Sequence, residues 1–451
     1  MTEKIAGKTL EEWVKESPII DTLVNGEVVF WINDKKKGFE EAKDTVQFNR
    51  ADVIDAEERL QRFAPFIKQE FADTEALDGL IESPITHLEA FQKELEDRYQ
   101  VNIAGQLYLK RDDLLPIAGT IKARGAIYEV LCHAETLALE SGLLESTEVN
   151  YRVFSEPKFR EYFSQFKVIV GTTGNLGIST GVMAAKFGFD AIIHMSNDAK
   201  QWKKDYLRSH GVTVIEHNTN FTEAVNQGRI AAEADPQSYF VDDENSKYLF
   251  LGYTTAASRL KKQLDQEGIK VDADHPLFVY LPCGVGGSPG GITFGLKHTF
   301  GDNVHCFFAE PSHVPSLLLG LITGEYANVS VFDFGIDGKT VMDGLAVPRT
   351  SQLVAPLMEN FFDGGYTVLE DEASQTLTRL VDVEKISLEP AAVAGLSGPA
   401  KLFKTQAGQA YLSAKGLMDK QDQITHIAWA TGGSMVPDED KKAFYEAGLV
   451  K

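Results

Sequence analysis

The chain has 451 residues and a formal net charge of −22 at pH 7, with 43% hydrophobic and 24% charged residues. This length suits two domains, or one large domain that carries a smaller lobe. The acidic balance argues against nucleic acid and against an anionic membrane surface as partners, because like charges repel each other.

Cysteine content and the length of apolar runs indicate the cellular setting. Cys132, Cys283 and Cys306 are too few and too scattered for a disulfide framework or a zinc cluster. The first residues lack the apolar core of a signal peptide, and no run reaches the ~18 apolar residues of a membrane helix. We therefore expect a cytoplasmic protein that binds a small molecule and neither nucleic acid nor membrane.

A lysine follows the first predicted turn after a largely helical stretch, residues 1–100. Gly119 and Thr120 suit a turn and a helix N-cap, and helical periodicity runs from Ala126 onward. Lys122 thus lies near a helix start, where the helix dipole is expected to lower the pKa of its amine slightly. A lysine that forms a Schiff base must be neutral, whereas a solvated surface lysine is the commoner alternative.

Residues 166–170 are predicted to form a buried strand that ends in a small polar turn, residues 171–175. Backbone N–H groups and hydroxyls in such a turn can bind a carboxylate, although a plain strand-to-helix connection carries equal weight. Three further strands continue the alternation of strand and helix, at residues 191–195, 212–216 and 239–241. The last of these strands runs into the acidic residues 242–245.

A glycine-rich turn, residues 282–291, follows the apolar strand predicted over residues 277–281. A helix is predicted from Ile292, so strand, glycine turn and helix start would form an anion cradle. The spacing matches neither the P-loop nor the dinucleotide fingerprint, and a tightly packed turn is the alternative. The turn predicts a phosphate without identifying the molecule that carries it.

Two more predicted strands, residues 305–311 and 424–430, lie in the C-terminal third, and the second ends in the polar turn of residues 431–434. Repeated units of strand, polar turn and helix predict an α/β fold with largely parallel sheets. Ligands of such folds bind at the carboxyl ends of the strands.

The order of these motifs resembles the fold-type II pyridoxal-phosphate enzymes, the family of tryptophan synthase β, threonine deaminase and serine racemase. The resemblance runs from about residue 80 to the C-terminus, and it is closest to the branch that eliminates water and ammonia from D-serine. The motifs that carry it are Ile121-Lys122-Ala123-Arg124-Gly125, Thr173-Gly174-Asn175-Leu176-Gly177, Trp202-Lys203-Lys204, Leu281-Pro282-Cys283-Gly284-Val285-Gly286-Gly287 and Trp429-Ala430-Thr431-Gly432-Gly433.

The resemblance implies a role for each matching residue. Lys122 would hold pyridoxal 5'-phosphate as a Schiff base and act as the catalytic base, Asn175 would bind the ring hydroxyl, and Thr431 would face the pyridine nitrogen. The cofactor phosphate would accept hydrogen bonds from the backbone of Gly284, Val285, Gly286 and Gly287. The substrate carboxylate would be bound by Thr172, Thr173 and Gly174.

The resemblance also implies two α/β domains with a cofactor cleft between them. Residues 1–160 and 245–451 would form the large domain that binds the cofactor, and residues 161–244 would form the small domain. The closest relatives make a monomer compatible with this architecture.

The implied reaction is elimination from D-serine to give pyruvate and ammonia. The same scaffold acting on L-serine or on D- or L-threonine is the first alternative, and a phosphate-binding protein without lyase activity is the second. The departing hydroxyl needs an acid, for which Asp243 and the cofactor phosphate are the candidates. A solvated or capping carboxylate is the simpler interpretation of Asp243.

Three positions qualify the resemblance. Ser288 and Ser434 stand where glycine is expected to extend the two turns, and we expect at most a modest change in cofactor affinity. Some relatives hold a cation near the strand that contains Glu310, but no second carboxylate follows it here. No metal site is therefore predicted.

Overall fold

The computed structural model describes residues 4–172, 174–197, 199–218 and 221–449. Contacts divide the chain into two compact units. The first comprises the described residues of Met1–Asn49, Ser83–Leu114 and Ala256–Lys451, and the second those of Arg50–Glu82 and Leu115–Thr255.

Eleven strands form two sheets within the described residues. The strands are β1 (Phe30–Ile32), β2 (Ile85–His87), β3 (Gln106–Arg111), β4 (Lys167–Gly171), β5 (Asp190–Ser196), β6 (Thr213–His217), β7 (Ser238–Phe240), β8 (Leu277–Pro282), β9 (Val304–Pro311), β10 (Gly364–Val368) and β11 (Thr425–Ala430).

Helices connect most of these strands. The α-helices are α1 (Leu10–Glu16), α2 (Ile19–Val24), α3 (Phe39–Ala42), α4 (Arg50–Glu70), α5 (Glu89–Tyr99), α6 (Tyr128–Glu140), α7 (Pro157–Phe163), α8 (Asn175–Phe187), α9 (Gln201–Ser209), α10 (Phe221–Glu233), α11 (Lys247–Thr254), α12 (Ala256–Gln266), α13 (Gly287–Phe300), α14 (Ser316–Thr323), α15 (Val354–Met358), α16 (Glu370–Glu384), α17 (Gly398–Lys404), α18 (Gln406–Ala414) and α19 (Asp438–Ala447). A π-helix, Ala123–Ile127, leads directly into α6.

Short 3-10 helices make up several of the remaining connections. They span Lys43–Thr45, Ala72–Leu77, Asp112–Leu114, Tyr151–Ser155, Gly301–Asn303, Tyr326–Asn328, Val331–Phe334, Asp343–Leu345, Pro390–Ser397 and Met418–Gln423.

The first unit is built on a seven-stranded sheet in the order β1-β10-β9-β8-β11-β3-β2. Its inner strands run parallel, whereas β1 and β2 pair antiparallel at the two edges. Strands β8, β9 and β11 are buried along their whole length, which explains why their sequences are mostly apolar. Phe278, Tyr280 and Phe307 lie in the hydrophobic core of this unit.

The second unit is built on a four-stranded sheet in the order β6-β5-β4-β7, with all strands parallel. An aromatic cluster from α4, α8 and their neighbours fills part of its core. Phe66 stacks on Phe187 with ring centroids 4.5 Å apart, and Phe63 lies 5.1 Å from Phe154. Burial of such rings stabilises the unit because each removes a large apolar area from water.

The predicted α/β class with mainly parallel sheets is confirmed. The N-terminal hundred residues contain two strands as well as helices, and both strands are short edge strands of three residues. The compact units group Lys122 with the four-stranded sheet, and the predicted division at residues 160 and 245 stays a prediction. No helix in the described part of the chain is long and apolar enough to span a bilayer.

Candidate active site

Lys122 immediately precedes the π-helix, so its position at a helix start agrees with the sequence prediction. The helical turn begins at Ala123, ahead of the predicted start at Ala126. The hydroxyl of Thr120 accepts a long hydrogen bond (3.5 Å) from the N–H of Lys122. A π-helix is a rare feature that often occurs at functional sites, because its wider turn displaces the neighbouring residues.

Close packing fixes the backbone that carries Lys122. The guanidinium of Arg124 is buried and donates two hydrogen bonds to Glu82, at 2.5 and 3.1 Å. A Cβ added to Gly125 would lie 2.6 Å from the ring of Tyr253 on α11. Glycine at this position therefore permits a close contact between the π-helix and α11, which restrains the direction in which Lys122 points.

The ammonium of Lys122 forms an ion pair with Asp243, the second acidic residue after β7. Its Nζ lies 2.7 Å from Oδ2 and 3.1 Å from Oδ1, and the two side chains are about one-fifth exposed, at 22% and 21%. The neighbouring Asp242 has a different role, since it accepts hydrogen bonds from Arg229 and from the N–H of Glu244. Asp242 thus stabilises the turn after β7, and Asp243 is directed to Lys122.

The polar turn between β4 and α8 is held by its own first residue. Thr172 is buried, donates its N–H to the carbonyl of His194 (2.9 Å) and accepts a hydrogen bond from the N–H of Gly174 (3.0 Å). Gly174 is the N-cap of α8 at φ +150°, and Asn175 is the first helical residue. Thr173 lies outside the described residues. The turn therefore presents the positive end of the α8 dipole.

The glycine-rich turn after β8 forms the start of α13. The helix begins at Gly287, ahead of the predicted start at Ile292, and Gly286 is its N-cap at φ +111°. A glycine N-cap has no side-chain acceptor, so the first N–H groups of the helix stay available for an anion. Ser288 lies within the first helical turn, where a glycine is not required.

We predict that Gly286→Ala weakens retention of pyridoxal phosphate by about tenfold, because alanine strains a backbone at positive φ. A Cβ at this site meets its nearest atom at 3.6 Å, so the expected effect comes from the backbone and not from a clash. Cofactor dissociation constants from fluorescence titration would test this prediction. Gly301→Ala is the matched control, because Gly301 is also at positive φ (+60°) but ends the same helix. Equal cofactor affinity in both variants would contradict the prediction.

Thr431 directly follows β11 and is buried, since only 7% of the residue's surface is exposed. The turn after it is held by the segment that contains Glu389, whose N–H donates to the carbonyl of Gly432 at 3.2 Å. Gly433 adopts φ +144°. Ser434 accepts a hydrogen bond from Lys441 through its carbonyl, so its side chain is not part of this contact.

Glu310 is fully buried and closes the start of α14. Its carboxylate accepts hydrogen bonds from the N–H groups of Leu317 (2.8 Å) and Leu318 (2.9 Å). Burial raises the pKa of this carboxyl to about 8. Within the described residues, no group of three or more His, Cys, Asp and Glu side chains is arranged to hold a metal ion. Glu310 therefore acts as a helix cap in this structure.

The sequence patterns did not single out Glu129, a buried carboxyl at the second residue of α6. Its Oε1 accepts a hydrogen bond from the hydroxyl of Tyr239 (2.8 Å), and His133 stacks on that ring at 4.1 Å. Burial raises the pKa of Glu129 to about 8. A glutamate on a helix is ordinarily taken as a surface residue, so only the tertiary fold identifies this buried carboxyl.

Glu129 is expected to make stability depend on pH. The folded chain keeps a proton on Glu129 that the unfolded chain releases above its ordinary pKa of 4.5, so this group lowers stability as pH rises from about 5 to about 8. Glu129→Gln should gain stability relative to wild type over that range, by up to about 1.4 kcal/mol per pH unit. Urea unfolding at pH 5 and pH 8 measures this difference. A difference that is constant with pH would contradict it, and Glu140→Gln at the exposed end of α6 controls for the substitution.

Known proteins resemble this chain in sequence and in fold. Residues 77–410 match the family described as pyridoxal-phosphate dependent enzyme. The probable D-serine dehydratase of Geobacillus stearothermophilus is 54% identical, over 98% of this chain and 96% of the relative. The protein of the same description from Halalkalibacterium halodurans is 51% identical, over 97% and 98%.

A solved structure with a similar fold is diaminopropionate ammonia lyase from Escherichia coli in complex with D-serine. Its TM-score is 0.68 at 18% identity, and the alignment covers 94% of this chain and 97% of that chain. At this identity the likeness concerns the fold.

Proposed function

Since the chain belongs to the pyridoxal-phosphate-dependent enzymes, we propose that it is a lyase that converts D-serine to pyruvate and ammonia. Relatives described as probable D-serine dehydratases match it along nearly its whole length, which supports this substrate. The observation in the structure that carries the proposal is the pair formed by Lys122 and Asp243. It supplies an amine and a carboxyl in direct contact.

The cofactor of this reaction would be pyridoxal phosphate. Lys122 would bond to the aldehyde carbon of the cofactor, and the backbone of Gly284, Val285, Gly286 and Gly287 would bind its phosphate. The N-cap glycine of α13 favours this assignment, because its helix start offers N–H groups with no competing side chain. Asn175 would bind the ring hydroxyl and Thr431 would face the pyridine nitrogen. When bound, the cofactor withdraws electrons from the substrate Cα and makes its proton more acidic.

In the proposed reaction, Lys122 takes the proton from the substrate Cα as a general base. Asp243 lies in hydrogen-bond contact with the Lys122 amine, so the proton can pass to Asp243 and then to the departing β-hydroxyl. The Cβ–O bond breaks and water leaves. The released 2-aminoacrylate takes up water and yields pyruvate and ammonia. One proton route thus connects the base and the acid.

Pyruvate release from D-serine and from L-serine, measured side by side with added pyridoxal phosphate, tests the proposal. Rapid turnover of D-serine is the expected result. Turnover of L-serine alone would keep the reaction class and remove the D-serine assignment. Pyruvate from neither substrate would favour threonine as the substrate, or a phosphate-binding protein that lacks lyase chemistry.

The proposal includes three further points. The substrate carboxylate would bind at the turn of Thr172, Thr173 and Gly174. The protein would act in the cytoplasm, its large domain would comprise residues 1–160 and 245–451, and its small domain would comprise residues 161–244. A monomer is compatible with this architecture. Sedimentation of the holoenzyme checks the oligomeric state, and limited proteolysis at residues 160 and 245 checks the boundaries.

A further inference from the structure

Lys203 on α9 is a buried lysine beside the turn that precedes α8. The residue is 6% exposed. A Cβ added to Gly174 would lie 2.2 Å from its Cδ and 3.1 Å from its Nζ. The stem of Lys203 therefore packs on the backbone of Gly174, and its ammonium lies beside the same residue. Glycine is required here for the lysine to occupy this place.

The charge of Lys203 lacks a counterion in the described part of the chain. Its Nζ lies over the ring of Trp202, 5.6 Å from the ring centroid. The next residue, Lys204, is also buried, yet its ammonium is paired with Glu216 (2.7 Å) and with the carbonyl of Asn197 (2.8 Å). The stem of Lys203 is enclosed while its ammonium has no counterion among the described residues, so an anion at this turn would pair with it.

The start of helix α8 lies beside Lys203. Gly174 is the N-cap of α8, a helix of 13 residues, so the turn already provides the positive end of a helix dipole. An ammonium and a helix start that converge on one point attract an anion more strongly than either does alone.

We propose that Lys203 binds the carboxylate of the amino-acid substrate and so determines the preference of the enzyme for amino acids over uncharged amines. The proposal rests on the proposed function, in which the same turn receives the substrate carboxylate. Lys203 adds a full positive charge to backbone N–H donors. It is a binding residue for the substrate and takes no part in proton transfer.

Lys203→Met tests the proposal, because methionine keeps the apolar stem and removes the charge. We expect the dissociation constant of D-alanine, which has a carboxylate but no leaving group, to rise by about 10- to 100-fold. The affinity for D-alaninamide, which lacks the carboxylate charge, should stay nearly unchanged. Both constants are measured by titration calorimetry of the holoenzyme, and KM for D-serine should rise while kcat changes little.

Two further variants complete the experiment. Lys200→Met, at the exposed start of α9, is the matched control and should leave both affinities unchanged. Lys203→Gln is a second neutral variant, and it replaces Lys203→Met if the latter does not fold. Equal loss of affinity for D-alanine and D-alaninamide, or no loss for either, would overturn the proposal.

The proposal and the proposed function fail in different ways. If wild type releases pyruvate from D-serine but the neutral variants keep the preference for D-alanine, the role of Lys203 is wrong and the function stands. If wild type releases no pyruvate but the neutral variants lose that preference, Lys203 binds a carboxylate in an enzyme with another reaction.

Discussion

Lys122→Ala is expected to abolish the release of pyruvate from D-serine, with a loss of at least about 10³-fold. Alanine removes the amine that would bind the cofactor and accept the Cα proton. It also leaves the carboxylate of Asp243 without the ammonium that lies 2.7 Å away. Both effects act on the reacting groups, and the fold is expected to survive because Lys122 is only partly buried.

Borohydride reduction gives a second measurement on the same variant. In wild type, the reagent should fix the cofactor permanently on Lys122, and a peptide that contains this residue should carry the added mass. Lys122→Ala should show neither the covalent cofactor nor the visible absorbance of the Schiff base. Lys93→Ala is the control, because Lys93 is an exposed lysine on α5 that pairs only with Glu89 among the described residues. If the mass of the reduced cofactor were found on a peptide with another lysine, the assignment of Lys122 as the Schiff-base residue would be wrong.

Several parts of this architecture can be predicted from the sequence because they depend on local patterns. The strands at residues 166–170 and 277–281 include the buried apolar runs 168–170 and 277–281, which the sequence pattern detects. The position of Lys122 at a helix start follows from the Gly119–Thr120 turn. Such features need no knowledge of the neighbouring elements.

Other parts depend on tertiary contacts and could not be predicted. The start of α13 at Gly287 is hidden because glycine and proline are poor helix formers, although both are tolerated in a first turn. The pairing of Asp243 with Lys122 depends on β7 lying beside β4 in the sheet, a neighbour relation that the sequence does not contain. Lys203 is similarly identified by its packing on Gly174, since a lysine on a helix is normally exposed.

Asp243→Asn is expected to lower kcat for D-serine by about 10²- to 10³-fold while the cofactor stays bound. The amide has nearly the same shape as the carboxylate but cannot take a proton from Lys122 and deliver it to the β-hydroxyl. Steady-state pyruvate release from the cofactor-loaded variant measures this loss. Asp242→Asn is the matched control, because Asp242 precedes it in the chain and is held by Arg229 instead. It should reduce stability more than turnover.

A substrate with a different leaving group distinguishes the two candidates for the acid, Asp243 and the cofactor phosphate. Chloride departs from β-chloro-D-alanine without a proton, so this substrate does not require an acid at its β-position. If Asp243 protonates the hydroxyl, Asp243→Asn should lose far more activity on D-serine than on β-chloro-D-alanine. Equal losses on both substrates would mean that Asp243 acts on Lys122 alone, through the 2.7 Å contact between their side chains. Full activity on D-serine would exclude Asp243 and assign the proton to the cofactor phosphate.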